Sequence, residues 1–172
     1  VTVAEVLDPP VASDDSISTS EEISATINVV TNDTDPDGNL DPASANVACA
    51  VCLGPANGSL VNNGDGSFDY TPNLNFAGTD SLVYEICDTT ALCATAVVSI
   101  TVTGTPDPPL VSGDDAITPE DVAVTVDVAA NDIDPDGDLN LASANTSCAS
   151  GCAGTANGTL LNNGNGTFTY TP

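Results

Sequence analysis

Tandem antiparallel β-sandwiches are the fold class this sequence predicts, and three observations predict it. Apolar residues recur with period two along short stretches. Glycine-containing turn pairs punctuate those stretches. The whole pattern is then written nearly twice, about one hundred residues apart, which is the length of a domain and not of a solenoid unit. No helical periodicity competes.

Taken in order, Val1–Pro10 (VTVAEVLDPP) resembles Ile100–Pro109 (ITVTGTPDPP), so residues 1–10 read as the final strand and linker of a preceding repeat. Residues 11–103 form the first complete sandwich. In it Ile23, Ala25, Ile27 and Val29 alternate with Ser24, Thr26, Asn28 and Val30, the mark of a strand with one buried face. Asn57-Gly58, Asn63-Gly64 and Asp65-Gly66 supply the positive-φ positions that hairpin turns require. Phe68 and Tyr70 share one strand face and read as core. Leu82, Tyr84 and Ile86 predict a further strand, and Val98, Ile100 and Val102 another. Residues 104–110 are a linker, and 111–172 a second, incomplete repeat. There Val122, Val124, Val126 and Val128 match the first strand, and TANGTLLNNGNGTFTYTP (Thr155–Pro172) matches PANGSLVNNGDGSFDYTP (Pro55–Pro72). The first repeat continues through NFAGTDSLVYEICD, where the second stops. Its last strands are therefore expected from a longer array or from a neighbouring chain. Short strands and turns over a domain's length suggest immunoglobulin-like topology.

Charge narrows function next. The 172 residues carry 25 Asp and Glu and no Lys, Arg or His, a formal charge of −25. With no cation to neutralise a phosphate, nucleic acid is excluded as a partner, and attraction to an anionic membrane surface is disfavoured. No apolar run is long enough to span a bilayer, and no signal peptide opens the chain. A hydrophobic fraction of 41% in ordered alternation argues against an acidic disordered tail.

The densest acidic cluster is Asp33, Asp35, Asp37 and Asp41, in the pattern DxDxDGxxD. It returns as Asp132, Asp134, Asp136 and Asn140. Alternate residues in a tight loop turn their oxygens to a common centre, and glycine permits the bend. That is the ligand logic of calcium loops, although the closing glutamate of the EF-hand is absent. Hard oxygen donors without imidazole or thiolate suit Ca²⁺. Supporting acids recur in register: Asp14-Asp15 with Asp114-Asp115, Glu21 with Glu120, and Asp8 with Asp107 in the DPP linkers. The candidate metal set is Asp14, Asp15, Glu21, Asp33, Asp35, Asp37, Asp41, Asp107, Asp114, Asp115, Glu120, Asp132, Asp134 and Asp136.

Six cysteines occur as close pairs, which predicts local disulfides Cys49–Cys52, Cys87–Cys93 and Cys148–Cys152 and an oxidising, extracellular setting, although the four cysteines of the first unit permit three connectivities. Without histidine, and with unequal spacing in the two repeats, zinc is disfavoured.

The segments NDTDPDG, NGSLVNNGDGSFDYTP and NFAGTDSLVYEICD resemble the bacterial cadherin-like, Ig-like tandem repeats of large secreted and cell-surface adhesins. The resemblance implies calcium at loops and domain junctions, stiffening strings of sandwiches. Its matching positions are Asp14, Asp15, Glu21, Asp33, Asp35 and Asp37, with Asp114, Asp115, Glu120, Asp132, Asp134 and Asp136. The linkers depart from the cadherin junction motif DxNDN, since only DPP is present. The expected function is a calcium-rigidified structural repeat of an adhesin stalk or filament, its partners being neighbouring repeats or identical subunits joined by strand exchange. The alternative is a calcium-dependent carbohydrate-binding module acting on surface glycans. Catalysis is disfavoured, because the carboxylates lie in polar loops without histidine or an oxyanion-binding cation.

Overall fold

The computed structural model describes residues 1, 6–147 and 154–172. By internal contacts the chain divides into Val1–Thr105 and Pro106–Pro172.

The first unit is a two-sheet sandwich. Its strands are β1 (Asp15–Ser20), β2 (Ala25–Asn28), β3 (Leu40–Asn46), β4 (Gly58–Asn62), β5 (Ser67–Pro72), β6 (Gly78–Asp88) and β7 (Cys93–Thr103). One sheet runs β1-β7-β6-β3 and the other β2-β5-β4. The inward residues of both sheets meet in one core. Ile27, Val29, Phe68 and Tyr70 from the smaller sheet pack with Leu82, Tyr84, Ile86, Val98 and Ile100 from the larger. Phe68, Tyr70, Tyr84 and Ile86 have no exposed surface. Each such side chain contributes about 1.5–3 kcal/mol by leaving water.

The alternation predicted for β6 and β7 is therefore observed residue by residue. Two expectations change. Ile23 and Val122 are exposed rather than inward, because a turn with Glu22 at φ 59° and Asp121 at φ 65° precedes the strand in each repeat. β1 also pairs with β7 in parallel, Asp15 opposite Val98 through Ser20 opposite Thr103, within an otherwise antiparallel sheet.

The glycines divide in role. Gly64 and Gly66, at φ 76° and 91°, build the β4–β5 turn as expected. Gly58 makes no turn. It opens β4 beneath Tyr70, where an added Cβ would lie 2.3 Å from the ring. The ring's hydroxyl donates to Asp80 Oδ2 at 3.0 Å. Asp80 also accepts from the N–H groups of Ala56 and Ser81 at 2.9 Å and of Asn57 at 2.8 Å. Burial alone would raise the Asp80 carboxyl, but these donors outweigh it and hold its pKa low. Burial and Asp80 together push the Tyr70 phenol up to about 12.

The second unit contains β8 (Val124–Asp127), a 3₁₀ turn at Leu141–Ser143, β9 (Thr159–Asn162) and β10 (Thr167–Thr171). Its sheet order, β8-β10-β9, repeats β2-β5-β4. Among its large apolar side chains only Phe168 is buried among the described residues, and Leu160 and Leu161 are exposed.

Cys49–Cys52 and Cys87–Cys93 are both bonded, the second between directly opposed residues of β6 and β7. The predicted Cys148–Cys152 pair lies outside the described residues.

Candidate metal centre

The acidic loop begins where the core ends. Val29 is fully buried and its N–H donates to Gly66 O at 3.1 Å, which fixes the point of exit from β2. The chain then bridges to the segment before β1, through reciprocal Val11–Thr34 backbone bonds of 2.8 and 3.1 Å. The second repeat does the same through Leu110 and Ile133, at 2.7 and 3.0 Å.

Asp33 points inward and is 7% exposed. Its Oδ1 accepts from Ser13 N–H at 2.7 Å and its Oδ2 from the Tyr84 hydroxyl at 3.0 Å. Asp15, on β1, faces the same hydroxyl, and its Oδ2 is buried with no hydrogen-bond partner. Burial and the Asp33 charge raise the Asp15 pKa from 3.8 to about 6, against the hydrogen bonds of Tyr84 and Asn32. Burial also raises Asp33. Tyr84, desolvated and facing two carboxylates, is raised well above its ordinary value. Two acids and a phenol thus share a buried corner with no positive charge.

A second acidic group forms at the loop's tip. Asp35 Oδ1 accepts from the N–H groups of Asp37 at 2.8 Å and Asn39 at 3.4 Å. Gly38, at φ 72°, donates its N–H to Asp35 O at 3.1 Å and closes the turn. Asp35 Oδ2 and Asn39 Oδ1 are left buried without partners. Asp37 Oδ2 accepts from the linker N–H of Asp8 at 2.8 Å.

The second repeat copies these bonds. Ser112 N–H donates to Asp132 Oδ1 at 2.8 Å, Asp136 N–H to Asp134 Oδ1 at 3.0 Å, and Asp107 N–H to Asp136 Oδ2 at 2.6 Å. One carboxylate oxygen from each of Asp134, Asp136 and Asp138 lies within 4.8 Å of the others.

Other members of the sequence-derived set are placed elsewhere. Asp14 Oδ1 accepts from Val97 N–H at 2.9 Å, and Asp41 Oδ1 from Ala43 N–H at 3.1 Å in its own turn. Glu21 is 4% exposed and accepts from the Thr105 N–H and hydroxyl, which ties the chain leaving β7 to the β1–β2 turn. Asp114, Asp115 and Glu120 are exposed. Sequence reasoning missed Asn39 and Asp138, although they simply continue the alternate spacing of Asp35-Asp37 and Asp134-Asp136. Nothing local pointed to Tyr84.

The donor set fits a hard cation. It consists of oxygens alone, it includes buried ones without hydrogens to accept, and no side-chain cation exists in the sequence to meet them.

The chain is similar to several known proteins. The family described as bacterial Ig domain matches residues 7–101 and again 106–172. No curated protein matches. Among solved structures, the protocadherin GammaB4 extracellular domain is 16% identical with a TM-score of 0.43, over 98% of this chain and 27% of that one. An endo-fucoidan hydrolase of glycoside hydrolase family 107 is also 16% identical with a TM-score of 0.43, over 95% of this chain and 24% of its own. A nucleoside hydrolase-related protein from Saccharophagus degradans is 18% identical with a TM-score of 0.38, over 55% of this chain and 25% of its own. The chain thus spans about a quarter of each of these solved chains. With the family's pattern matched twice over nearly its whole length, the chain belongs to the bacterial Ig domain family.

Proposed function

We propose that the chain is a structural segment of a secreted or surface-displayed protein, in which calcium stiffens tandem sandwiches into an adhesin stalk or filament. One observation carries this reading. In a chain without a basic side chain, Asp35 Oδ2 and Asn39 Oδ1 at the loop's tip are buried and lack any hydrogen-bond partner. Uncompensated buried carboxylates are costly, and a divalent cation supplies the charge that the sequence does not encode. Asp35 and Asp37 would hold it in the first unit, and Asp134 and Asp136 in the second. Each loop also carries a linker N–H on its central aspartate, so an ion there would steady the linker. Two formed disulfides suit an extracellular setting. No helix among the described residues is long and apolar enough to cross a membrane.

Assembly of identical chains by strand exchange belongs to the same proposal. A groove of about 350 Å³ in the second unit is lined by Val126, Val128, Leu160 and Phe168. Their counterparts Ile27, Val29, Leu60 and Phe68 lie in or against the core that β6 and β7 complete. Light scattering that returns the monomer mass at every concentration would defeat this part alone.

Ligands that bind only the folded state stabilise it by mass action. The calcium reading is tested by thermal melts with calcium and with chelator. A higher midpoint in calcium is expected, and an unchanged midpoint rejects the reading.

A further inference from the structure

The turn between β9 and β10 carries two asparagine–glycine pairs, Asn163-Gly164 and Asn165-Gly166, and its hydrogen bonds treat them oppositely. An asparagine before glycine is open to attack by the next peptide nitrogen, because no side chain shields that nitrogen. Asn163 is guarded at both reacting ends. Its amide nitrogen donates to the hydroxyls of Thr167 at 2.9 Å and Thr169 at 3.1 Å, and the Gly164 N–H is held by Asn162 Oδ1 at 2.8 Å.

Asn165 is exposed, and its bonds favour reaction. Its Oδ1 accepts from the Thr167 N–H at 3.2 Å and from the Thr167 hydroxyl at 2.7 Å. Bonding two residues ahead curls the side chain over the Gly166 peptide. The Thr167 hydroxyl accepts from Asn163 and spends its own proton on Asn165, so one bond chain protects the first amide and polarises the second. Among the described residues no acceptor holds the Gly166 N–H. In the first unit Asp65 takes the same position, with bonds from the Ser67 N–H at 3.1 Å and hydroxyl at 2.6 Å. The Ser67 hydroxyl holds its carboxyl below the ordinary value, so it stays ionised and unreactive. It also shows that an acid at this position fits the turn.

We infer that Asn165 is a self-modifying site, converted without an enzyme to aspartate and isoaspartate. The Gly166 nitrogen bonds to Asn165 Cγ and gives up its proton through water. The Cγ–Nδ2 bond breaks, ammonia leaves, and water opens the resulting succinimide at either carbonyl. No oxidant or reductant is needed. Gly166 is buried, which slows loss of its proton. Donors set on a developing oxyanion outweigh this, each being worth about 10²–10³ in rate in enzyme sites. Isoaspartate adds a backbone carbon before Gly166, whose carbonyl accepts from Val128 N–H at 3.0 Å. Conversion therefore loosens the chain where it leaves β8.

Incubation of the folded full chain in mildly alkaline buffer, followed by chymotryptic mapping, tests this; trypsin has no Lys or Arg to cut. Cleavage after Leu161 and Phe168 isolates both pairs in one peptide, and tandem mass spectrometry reads which asparagine became acidic. Asn165 is expected to convert at least about tenfold faster than Asn163 in the native chain, and the two rates to converge in urea. Thr167→Val removes the hydroxyl donor and is expected to slow Asn165. Equal native rates at the two positions, conversion of Asn165 only after unfolding, or an unchanged Asn165 rate in Thr167→Val overturns the inference.

Discussion

Replacing Asp15 with Asn isolates the energy stored between the buried acids. Asp15 is only partly buried, but burial and Asp33 raise its pKa from 3.8 to about 6. A shift of that size corresponds to about 3 kcal/mol at neutral pH, and screening at a partly exposed side chain reduces it to roughly 1–2 kcal/mol. The sign follows from proton counting. Between those two values the native protein binds more protons than the unfolded chain, so stability falls as pH rises from about 4 to about 6 and remains lowered above that. Asparagine never ionises and never carries this cost. In chelator at pH 7, Asp15→Asn is expected to melt above wild type by about 4–12 °C, given the usual slope for a domain of this size. Its midpoint is expected to decline less steeply than that of wild type between about pH 4 and 6, the remaining slope coming from Asp33, which burial also raises. Calorimetry across this pH range is the assay. A variant melting below wild type in chelator at pH 7 would show that Asp15 is stabilising when charged, and would refute the account of the buried corner.

Three further outcomes test the scaffold. Tyr84→Phe removes the hydroxyl that donates to Asp33; urea unfolding in chelator is expected to show a loss of about 2 kcal/mol, the usual worth of a hydrogen bond to a charged group. Asp80→Asn sets an amide N–H against the donors of Ala56, Asn57, Ser81 and Tyr70, and is expected to cost about 2–3 kcal/mol in the same assay, with or without calcium. Gly58→Ala places a Cβ 2.7 Å from Thr71 O as well as against the Tyr70 ring, and about 1–3 kcal/mol of overpacking is expected as a lower urea midpoint.

The sandwich was legible because its strands are written in alternation, and alternation is a direct image of a sheet with one wet face. Leu82, Tyr84 and Ile86 needed no other information. Ile23 shows where that logic stops: an apolar residue stands in phase with a strand, yet the left-handed turn at Glu22 keeps it out of the sheet. The Asn57-Gly58 pair imitates a hairpin turn, whereas its glycine answers to a ring twelve positions away at Tyr70. The loop carboxylates were legible for the opposite reason, being local. Asp33 finds Tyr84 across 51 positions, and Asn39 finds Asp88 only because β6 returns past the loop. Partners of that kind are set by topology, and a periodic pattern does not contain them.

The parallel pairing of β1 with β7 has a mechanical meaning. The chain enters the sandwich's large sheet at Asp15 and leaves it at Thr103, and these residues lie at opposite ends of the same ladder. Tension applied along the chain therefore pulls the two strands lengthwise past one another. All the bonds from Asp15–Val98 to Ser20–Thr103 share that load, instead of opening one at a time from an end. The Glu21 carboxylate, fastened to Thr105 just beyond β7, adds a clasp where the tension enters the chain's exit. A fold arranged this way yields by shear, and it resists a pull along its length far better than one that unzips.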